Sequence, residues 1–392
     1  EFDQALQGLA ASYTEKTGVP VKVVTAASGD YSNTLNAQMG KDGAPTIYNI
    51  GNMSGLKDWD EYALDLTGTA LAGELATNDF NLYNEAGELK AMGYCYESFG
   101  IIVNTKLLAD AGHSLDEIKD FASLKAVADD IHARAAELGF DAFSSAGLDG
   151  SSSWRFSGHL ANMPLYYEFR DDGVTEQPAE IKGTYLDNFR NIWDLYITDS
   201  AADPTALSTA TGDQSEAEFG EGKAVFYQNG TWEYAALTAD KFNLNPDEIA
   251  MIPIYCGVDG EEKAGLCSGT ENCWAINSQA KEEDIQASLD FLYWLVTDPD
   301  ASAVLVEQLG AVPFKNCPAS ANKFIVDGNA LLADGKYAVT WAFNYTPNVD
   351  SWRATVVTAL AAYSADPTDA NWEAVKTAFV DGWAIEYKTV NG

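Results

Sequence analysis

The stretch that says most about the fold is residues 219–232, which read FGEGKAVFYQNGTW. Its middle, Lys223–Gln228, is a β-strand candidate, and the Asn-Gly pair at 229–230 is typical of a loop. The glycines and Lys223 superficially resemble a phosphate-binding loop. That motif requires an earlier glycine, and a Ser or Thr after the lysine to hold magnesium, and the sequence has neither. We therefore do not expect nucleotide binding here.

On both sides of this stretch, apolar residues at helical spacing alternate with short β-branched runs. This alternation is typical of α/β proteins with parallel strands. No internal repeat or low-complexity linker divides the chain. The further strand candidates are residues 21–25, 45–52, 100–104 and 273–277. The predicted helices are residues 1–17, 32–39, 115–138, 185–197, 281–297 and 352–364.

The composition is that of a globular protein with a strong negative charge. The chain has 392 residues, of which 46% are hydrophobic and 21% charged, and its formal net charge is −36. The length allows two or three domains. Such a charge repels phosphate backbones and anionic lipid surfaces, so we expect no nucleic-acid partner. No run of 18 apolar residues is present, and we expect that any export signal has been removed ahead of Glu1.

Motifs for catalysis and metal binding are weak throughout. The sequence contains no GxGxxG, and no GxSxG nucleophile elbow. The three histidines have no i, i+4 partner and no zinc-type spacing, so we expect no metal site and no cofactor. With 59 acidic residues, a pair of carboxylates suited to glycoside hydrolysis cannot be excluded by counting, and that alternative stays open.

The aromatic residues are the unusual feature of the sequence. Ten Trp, 19 Tyr and 17 Phe are present, and several Trp residues lie in polar loops and not in apolar periodic runs. A rigid apolar ring beside amide, carboxylate and guanidinium groups suits the C–H faces and hydroxyl edges of a sugar. Such neighbourhoods therefore favour a carbohydrate site. They surround Trp154, Trp232, Trp341 and Trp352.

An ordered series of motifs resembles the carbohydrate-binding family of extracellular solute-binding proteins of ABC importers, typified by maltose-binding protein. Residues 219–232 are the most characteristic piece, and in this family they form a helix-to-strand turn. Residues 13–24 resemble the family's first helix and second strand, and residues 96–104 its first crossover between lobes. The pattern continues in order through residues 252–254, 274–277 and 310–313. The resemblance covers nearly the whole chain.

The resemblance implies an α/β, type II-like periplasmic-binding-protein fold with two lobes, a ligand cleft between them and three crossovers. One lobe is expected to hold residues 1–97 and 266–312, and the other residues 98–265 and 313–392. The family normally begins with a strand and loop ahead of the first helix, whereas this sequence starts inside that helix. Thr46 replaces the usual acid and Val103 the usual Tyr.

The resemblance also implies which residues hold the ligand. Glu97, Trp154, Trp232 and Trp352 occupy positions that lie in the cleft of the family. The tryptophans are expected to stack on sugar rings, while carboxylate, amide and guanidinium groups bind hydroxyls. Loop position adds Tyr31, Asn52, Glu271 and Trp341 as further candidates. Asn272 and Arg353 are expected to bind hydroxyls together with Glu97 and Glu271.

The expected function is binding of a carbohydrate, in particular an oligosaccharide, by hinge closure and its delivery to a membrane permease. The resemblance implies a monomer without enzymatic activity, in a periplasm or tethered to a cell surface as a lipoprotein. Arg155 and Arg353 leave an acidic sugar open as the ligand, and a peptide or another small solute on the same fold is the alternative. An oxidising location would permit a disulfide, for which Cys256 and Cys267 are the candidates.

Overall fold

The structure is a computed structural model and describes residues 2–26 and 31–392. Its helices are α1 (Phe2–Thr17), α2 (Tyr31–Met39), α3 (Met53–Trp59), α4 (Ala70–Gly73), α5 (Thr105–Asp110), α6 (Phe121–Ala133), α7 (Ala135–Leu138), α8 (Asn162–Asp172), α9 (Leu186–Thr198), α10 (Gly212–Gly220), α11 (Glu233–Thr238), α12 (Glu282–Thr297), α13 (Pro299–Leu309), α14 (Lys323–Ala333), α15 (Val349–Ala365) and α16 (Asp369–Asn391). Its strands are β1 (Ile47–Ile50), β2 (Leu82–Tyr83), β3 (Leu89–Gly93), β4 (Glu97–Asn104), β5 (Asp141–Phe143), β6 (Ala224–Gly230), β7 (Ile249–Ile252), β8 (Ala264–Gly269), β9 (Cys273–Ile276) and β10 (Tyr337–Thr340).

The chain divides into two compact units. Unit 1 comprises residues 1–97 and 269–321, and unit 2 comprises residues 98–268 and 322–392. The boundary that the sequence suggested at 265/266 falls inside strand β8, which pairs within the sheet of unit 2. A boundary there would separate residues that pair in one ladder. The chain instead changes unit between Ser268 and Gly269, the last residue of β8.

Unit 1 is built on a four-stranded sheet in the order β1-β9-β3-β2. All three pairings in this sheet are antiparallel, whereas the sequence suggested parallel strands. A short apolar run does not reveal the direction of its partner, and this is why the prediction was wrong here. Residues 21–25, a predicted strand, form no strand in the structure. Helices α1, α12 and α13 cover the sheet through a core that includes Tyr13, Phe291 and Leu305.

Unit 2 contains a mixed sheet in the order β10-β8-β4-β6-β5, and β7 also pairs with β4. Strand β6 and all of β4 after Glu97 are buried, as expected for central strands covered on both faces. The β5–β6 and β8–β10 pairs are parallel, while β4 runs antiparallel to both β6 and β7. Around this sheet, α6, α9, α15 and α16 contribute to one core that holds four fully buried tryptophans, Trp193, Trp352, Trp372 and Trp383.

Residues 219–232 form the turn that the resemblance implied. Thr211 caps α10, because its hydroxyl accepts the N–H of Gln214 while the Gln214 side chain accepts the N–H of Thr211. The helix ends at Gly220, and Gly222 has a φ of +72°, a left-handed conformation that glycine adopts without steric cost. Strand β6 starts two residues later. The interpretation as a helix-to-strand turn is therefore confirmed.

The suggested disulfide between Cys256 and Cys267 is wrong. All five cysteines are free thiols. Both residues are buried in unit 2, and the Sγ atom of Cys267 lies 3.5 Å from the Sδ atom of Met163. Burial raises the pKa of each thiol and keeps it protonated.

Within residues 2–26 and 31–392, no helix combines the length and apolar character needed to cross a bilayer.

Candidate functional site

Unit 2 brings aromatic rings from distant parts of the chain into one group, here called the aromatic cluster. Its central ring is the imidazole of His159, which stacks on Phe99 with ring centroids 4.0 Å apart and planes 4° apart. Trp154 and Trp232 flank this imidazole at centroid distances of 4.9 Å and 5.3 Å. The members of the aromatic cluster are Phe99, Trp154, His159, Trp232, Trp341 and Phe343.

The turn after β6 sets the position of Trp232. Its indole lies against Gly230 so closely that a Cβ atom on Gly230 would come 2.1 Å from the ring carbon Cη2. Gly230 is therefore required by close approach, because any other residue would displace the indole. The N–H of Gly230 donates to the side-chain oxygen of Asn229 at 2.9 Å. The half-buried Trp232 thus stands on a turn that the Asn-Gly pair fixes.

Trp154 precedes a π-helical segment, Arg155–Leu160. Its indole N–H donates to the carbonyl of Ser151 at 2.8 Å, which fixes the ring beside Trp232 with centroids 5.8 Å apart. Trp154 is half-buried, so part of its ring surface is open to solvent. π-helical turns are rare and occur often at functional sites, and here the wider turn carries both Trp154 and His159 to the same place.

His159 is a member that the sequence analysis did not find. Its pKa lies well below the ordinary value because it is buried and because the cations Arg353 and Arg155 lie nearby, so the imidazole is neutral at physiological pH. Its Nδ1 atom is buried without a hydrogen-bond partner in the described part of the chain. A lone histidine belongs to no sequence motif. Its place in the aromatic cluster depends on the π-helical register, which only the structure shows.

Two further predicted residues, Trp341 and Arg353, also lie at the aromatic cluster. Trp341 is 7% exposed and donates its indole N–H to the carbonyl of Cys267 at 3.2 Å. Its ring stacks with Phe99 at a centroid distance of 5.7 Å, so it is a buried member of the aromatic cluster. The Nε atom of Arg353 donates to the hydroxyl of Ser157 at 3.2 Å. That bond places a partly exposed guanidinium at the edge of the cluster.

Trp352 does not join this group. It is 1% exposed, and its indole N–H donates to the carbonyl of Phe379 at 2.9 Å. Consecutive residues of a helix point about 100° apart, so α15 cannot direct both Trp352 and Arg353 to the cluster. The arginine faces Ser157 and the tryptophan faces α16. The predicted ligand role of Trp352 is therefore not supported by its position.

Arg155 is also unable to form the basic patch that the sequence suggested for an acidic sugar. It is 1% exposed, and its guanidinium donates to the carbonyl of Gln228 and to the hydroxyl of Ser152. The cation also packs over the rings of Phe156 and Tyr227, 4.8 Å from each centroid. Arg155 holds the π-helical segment against β6, and its charge is inaccessible to a ligand.

The other predicted residues lie in unit 1. The backbone carbonyl of Glu271 accepts the side-chain N–H of Asn49 at 3.1 Å, which ties the β8–β9 turn to β1. Burial, and secondly the charge of Glu271, raises the pKa of Glu97. No salt bridge to Glu97 is found among the residues that the structure describes. A partly buried carboxyl without a counter-cation is typical of a binding or catalytic position.

Three further predicted residues of unit 1 have local structural partners. The N–H of Asn272 donates to the hydroxyl of Thr270 at 2.8 Å within the turn before β9. Asn52 caps α3 by accepting the N–H of Gly55 at 2.9 Å. The exposed Tyr31 directs its hydroxyl to the backbone of Asn49. Asn52 and Tyr31 therefore have roles in the fold whether or not they bind a ligand.

No metal site is evident. Across residues 2–26 and 31–392, no three His, Cys, Asp or Glu side chains converge as metal ligands. His113 instead contacts Glu117 and Asp130, and His132 contacts Asp141. Unit 2 offers aromatic faces, and unit 1, considered by itself, offers carboxyl, amide and phenol groups. Such groups suit the recognition of a polar ligand with apolar faces.

Comparison with known proteins identifies the class. Residues 8–324 match the family model described as bacterial extracellular solute-binding protein. This match spans most of the chain, so the chain belongs to that family of extracellular binding proteins. The expectation drawn from the motif series is confirmed. Among curated protein sequences, none is significantly similar to this chain.

Solved structures agree with this assignment. A family 1 extracellular solute-binding protein from Bifidobacterium longum subsp. infantis is 18% identical, with a TM-score of 0.71 over 98% of this chain and 96% of that chain. RafE from Streptococcus pneumoniae, in its apo form, is 16% identical, with a TM-score of 0.74 over 98% and 95%. A sugar transporter from Bacillus licheniformis, in complex with stachyose, is 15% identical, with a TM-score of 0.67 over 98% and 96%. The predicted two-lobe α/β fold is confirmed.

Proposed function

We propose that this protein binds a carbohydrate, in particular an oligosaccharide, and delivers it to the permease of an ABC importer. The observation that carries the proposal is the pair Trp154 and Trp232, two half-buried indoles 5.8 Å apart beside a neutral imidazole. Trp154 is held by its bond to Ser151 and Trp232 by close contact with Gly230. Flat apolar rings that are fixed in this way suit the C–H faces of pyranose rings. Arg353, at the edge of the same cluster, supplies hydrogen-bond donors for hydroxyl groups.

The similar structures support this ligand class. RafE has been solved in complex with raffinose, and the transporter from Bacillus licheniformis with stachyose. Another structure with the same fold is a chitin oligosaccharide binding protein. These ligands are oligosaccharides of different composition, and the identities of 15–16% do not carry any one of them to this chain. The proposal therefore extends to the class of ligand and not to a particular sugar.

In the proposed mechanism, the sugar shifts a pre-existing equilibrium between an open and a closed form. The ligand favours the closed form by the contacts that only this form provides. In unit 2, Trp154 and Trp232 stack on ring faces. In unit 1, Glu97, Glu271 and Asn272 bind hydroxyls, with Tyr31 and Asn52 at the margin. A monomer that acts by this mechanism needs no catalytic residue, and we propose neither hydrolysis nor a cofactor.

A neutral sugar is favoured over an acidic one. The burial of Arg155 leaves Arg353 as the cation at the edge of the aromatic cluster, and Asp350 lies 3.9 Å from its guanidinium. The net charge of −36 also repels anionic ligands. A uronic acid would have to overcome both effects, so its affinity is expected to be lower than that of the matching neutral sugar.

Thermal unfolding with a panel of mono- and oligosaccharides tests the proposal, with uronic acids, amino acids and short peptides as comparators. A ligand at about 100 times its dissociation constant adds about 2.7 kcal/mol to the free energy of unfolding, which raises the melting temperature by a few degrees. A shift with neutral saccharides supports the proposal. A shift with peptides alone would overturn it, and chromatography of the incubated sugars would reveal any hydrolysis.

A further inference from the structure

One side chain of the aromatic cluster, His159, carries polar atoms that the fold does not use. The imidazole is 8% exposed and stacks on Phe99. Its Nδ1 atom is buried and has no hydrogen-bond partner in the part of the chain that the structure describes. Buried polar side chains nearly always have a partner, so an imidazole without one requires an explanation.

Packing alone does not explain a histidine at this position. The imidazole lies among apolar rings, with centroid distances of 4.0 Å to Phe99 and 6.1 Å to Phe343. A phenylalanine would fill the same space and would avoid the free-energy cost of an unsatisfied buried nitrogen. By contrast, both His113 and His132 contact carboxylates. The nitrogens of His159 therefore serve something other than the fold.

The imidazole is neutral, and its proton is on Nε2. Burial, and secondly the charges of Arg353 and Arg155, lower the pKa of His159 well below its ordinary value. A neutral imidazole has one N–H group and one lone pair, on different nitrogens. A buried N–H without an acceptor is rarer than a buried acceptor without a donor. The lone pair therefore belongs on the buried Nδ1, and Nε2 is the donor.

This Nε2 is the polar atom of His159 that a ligand can reach. No group in the described part of the chain bonds to it, yet it is not sealed from solvent as Nδ1 is. The half-buried Trp154 and Trp232 flank the imidazole at centroid distances of 4.9 Å and 5.3 Å. The N–H group therefore lies beside the two indoles on which a saccharide is proposed to stack.

The tilt of the rings decides which part of a saccharide meets His159. The plane of the imidazole makes an angle of 74° with the indole of Trp154 and 56° with that of Trp232. A pyranose that lies flat on either indole cannot also lie flat on the imidazole, so it presents its edge there. The edge of a pyranose carries its hydroxyl groups, whereas C–H groups cover its faces.

We infer that His159 determines specificity in the carbohydrate site: its Nε2–H donates a hydrogen bond to one hydroxyl oxygen of the saccharide that stacks on Trp154 and Trp232. This inference rests on the proposed function. The bond forms where water is largely excluded, so a donor left unsatisfied there is costly. A saccharide that lacks this hydroxyl is therefore rejected, whereas loss of a hydroxyl that stays in solvent is tolerated.

The first experiment needs no ligand. The full chain is labelled with ¹⁵N-histidine, and long-range ¹H–¹⁵N correlation spectra are recorded between about pH 5 and pH 8. The signals of His159 are those that His159→Phe or His159→Gln removes. We expect a neutral imidazole protonated on Nε2 over the whole range. A ring protonated on Nδ1, or titration of His159 within this range, would overturn the inference.

The second experiment compares side chains at position 159. Neutral oligosaccharides, including maltotriose, cellotriose, xylotriose and mannotriose, are titrated into wild type and variants by calorimetry. His159→Phe keeps a ring without a donor, and we expect it to weaken binding at least about tenfold. His159→Gln keeps an N–H near the position of Nε2, and we expect its affinity to stay within about fivefold of wild type.

The matched control for these variants is His113→Phe. His113 is a half-buried histidine of unit 2 that bonds to carboxylates outside the aromatic cluster. We expect this variant to bind within about twofold of wild type. Circular dichroism of each variant establishes that the fold is kept.

Monodeoxy analogues of the trisaccharide that binds most tightly identify the hydroxyl. We expect wild type to bind one analogue at least about tenfold more weakly than the parent sugar. His159→Phe is expected to bind the same two sugars within about twofold, because loss of the donor and loss of the hydroxyl remove the same bond. Undiminished discrimination by this variant against every analogue would overturn the inference.

The remaining outcomes separate this inference from the proposed function. A saccharide that binds more weakly to Trp232→Ala but equally to a folded His159→Phe would overturn the inference and leave the function standing. Equal losses in His159→Phe and His159→Gln would likewise assign the histidine to packing. Binding of no saccharide would refute the function and the inference together. If His159→Phe fails to fold, the spectra decide, because a bound saccharide that leaves the Nε2 resonance of His159 unchanged contradicts the bond.

Discussion

Replacement of Trp232 by alanine is the sharpest test of the aromatic cluster. A buried tryptophan covers about 150–250 Å², and stacking of a sugar on one indole face covers about a third of this. At about 25 cal/mol per Å² the lost contact of the indole face is worth about 1–2 kcal/mol. The sugar face is only partly apolar and adds up to about 1 kcal/mol, so the total is about 1–3 kcal/mol. We therefore expect Trp232→Ala to weaken carbohydrate binding by about 5- to 150-fold.

The assay is a titration of the best ligand from the saccharide panel into wild type and variants, followed by isothermal calorimetry. Trp232→Phe, which keeps an aromatic face, is expected to lose less than half of the binding free energy that Trp232→Ala loses. The matched control is Trp294→Ala, a half-buried tryptophan of unit 1 that packs on Tyr13 and Phe291. It should lower the melting temperature and leave affinity unchanged. Equal affinities of wild type and a folded Trp232→Ala variant would refute the assignment of the site.

Three further predictions concern positions around this site and the thiols. Gly230→Ala should displace the indole of Trp232, because a Cβ atom would lie 2.1 Å from it, and should weaken binding as much as Trp232→Ala while the fold is kept. Burial raises the pKa of Glu233 to about 7, against an ordinary value near 4.5, with Arg155 opposing the rise and Glu216 adding to it. The folded state favours protonated Glu233, so its contribution to the free energy of unfolding is fully present below pH 4.5 and is lost as the pH rises through 7. Between pH 5 and pH 8 the free energy of unfolding of wild type should therefore fall by about 2 kcal/mol more than that of Glu233→Gln, as measured by denaturant unfolding. Denaturation without reductant should expose five reactive thiols per chain, and a count of three would show that a disulfide exists.

Much of the local structure could be predicted because it depends on neighbours in the sequence. The helices at 281–297 and 352–364 correspond to α12 and α15, and the strand at 273–277 to β9. The turn at 219–232 also follows from local chemistry, since Gly220 and Gly222 end a helix wherever it lies. Strand direction in unit 1 and the absence of a strand at residues 21–25 in the described part of the chain could not be predicted, because both depend on which strands lie alongside.

The candidate site was predicted in part. Trp154, Trp232, Trp341 and Arg353 were selected from their loops or by resemblance, and the structure brings these four together. His159, Phe99 and Phe343 were missed, since none of them lies in a motif. Their role arises from stacking between residues that are 60 or more positions apart in the chain. The cysteine pairing was wrong because proximity in sequence does not decide which thiols meet.

The sequence alone determined the class of this protein through the resemblance of its ordered motifs to a known family. It also determined part of the order of its elements, because the spacing of apolar residues and the glycine turns act over a few residues at a time. The tertiary structure decided which aromatic side chains remain accessible. Trp352 and Arg353 are adjacent in the chain, yet α15 directs the tryptophan into the core and the guanidinium towards Ser157. Burial depends on the packing of whole helices and sheets, and a local pattern does not contain that information.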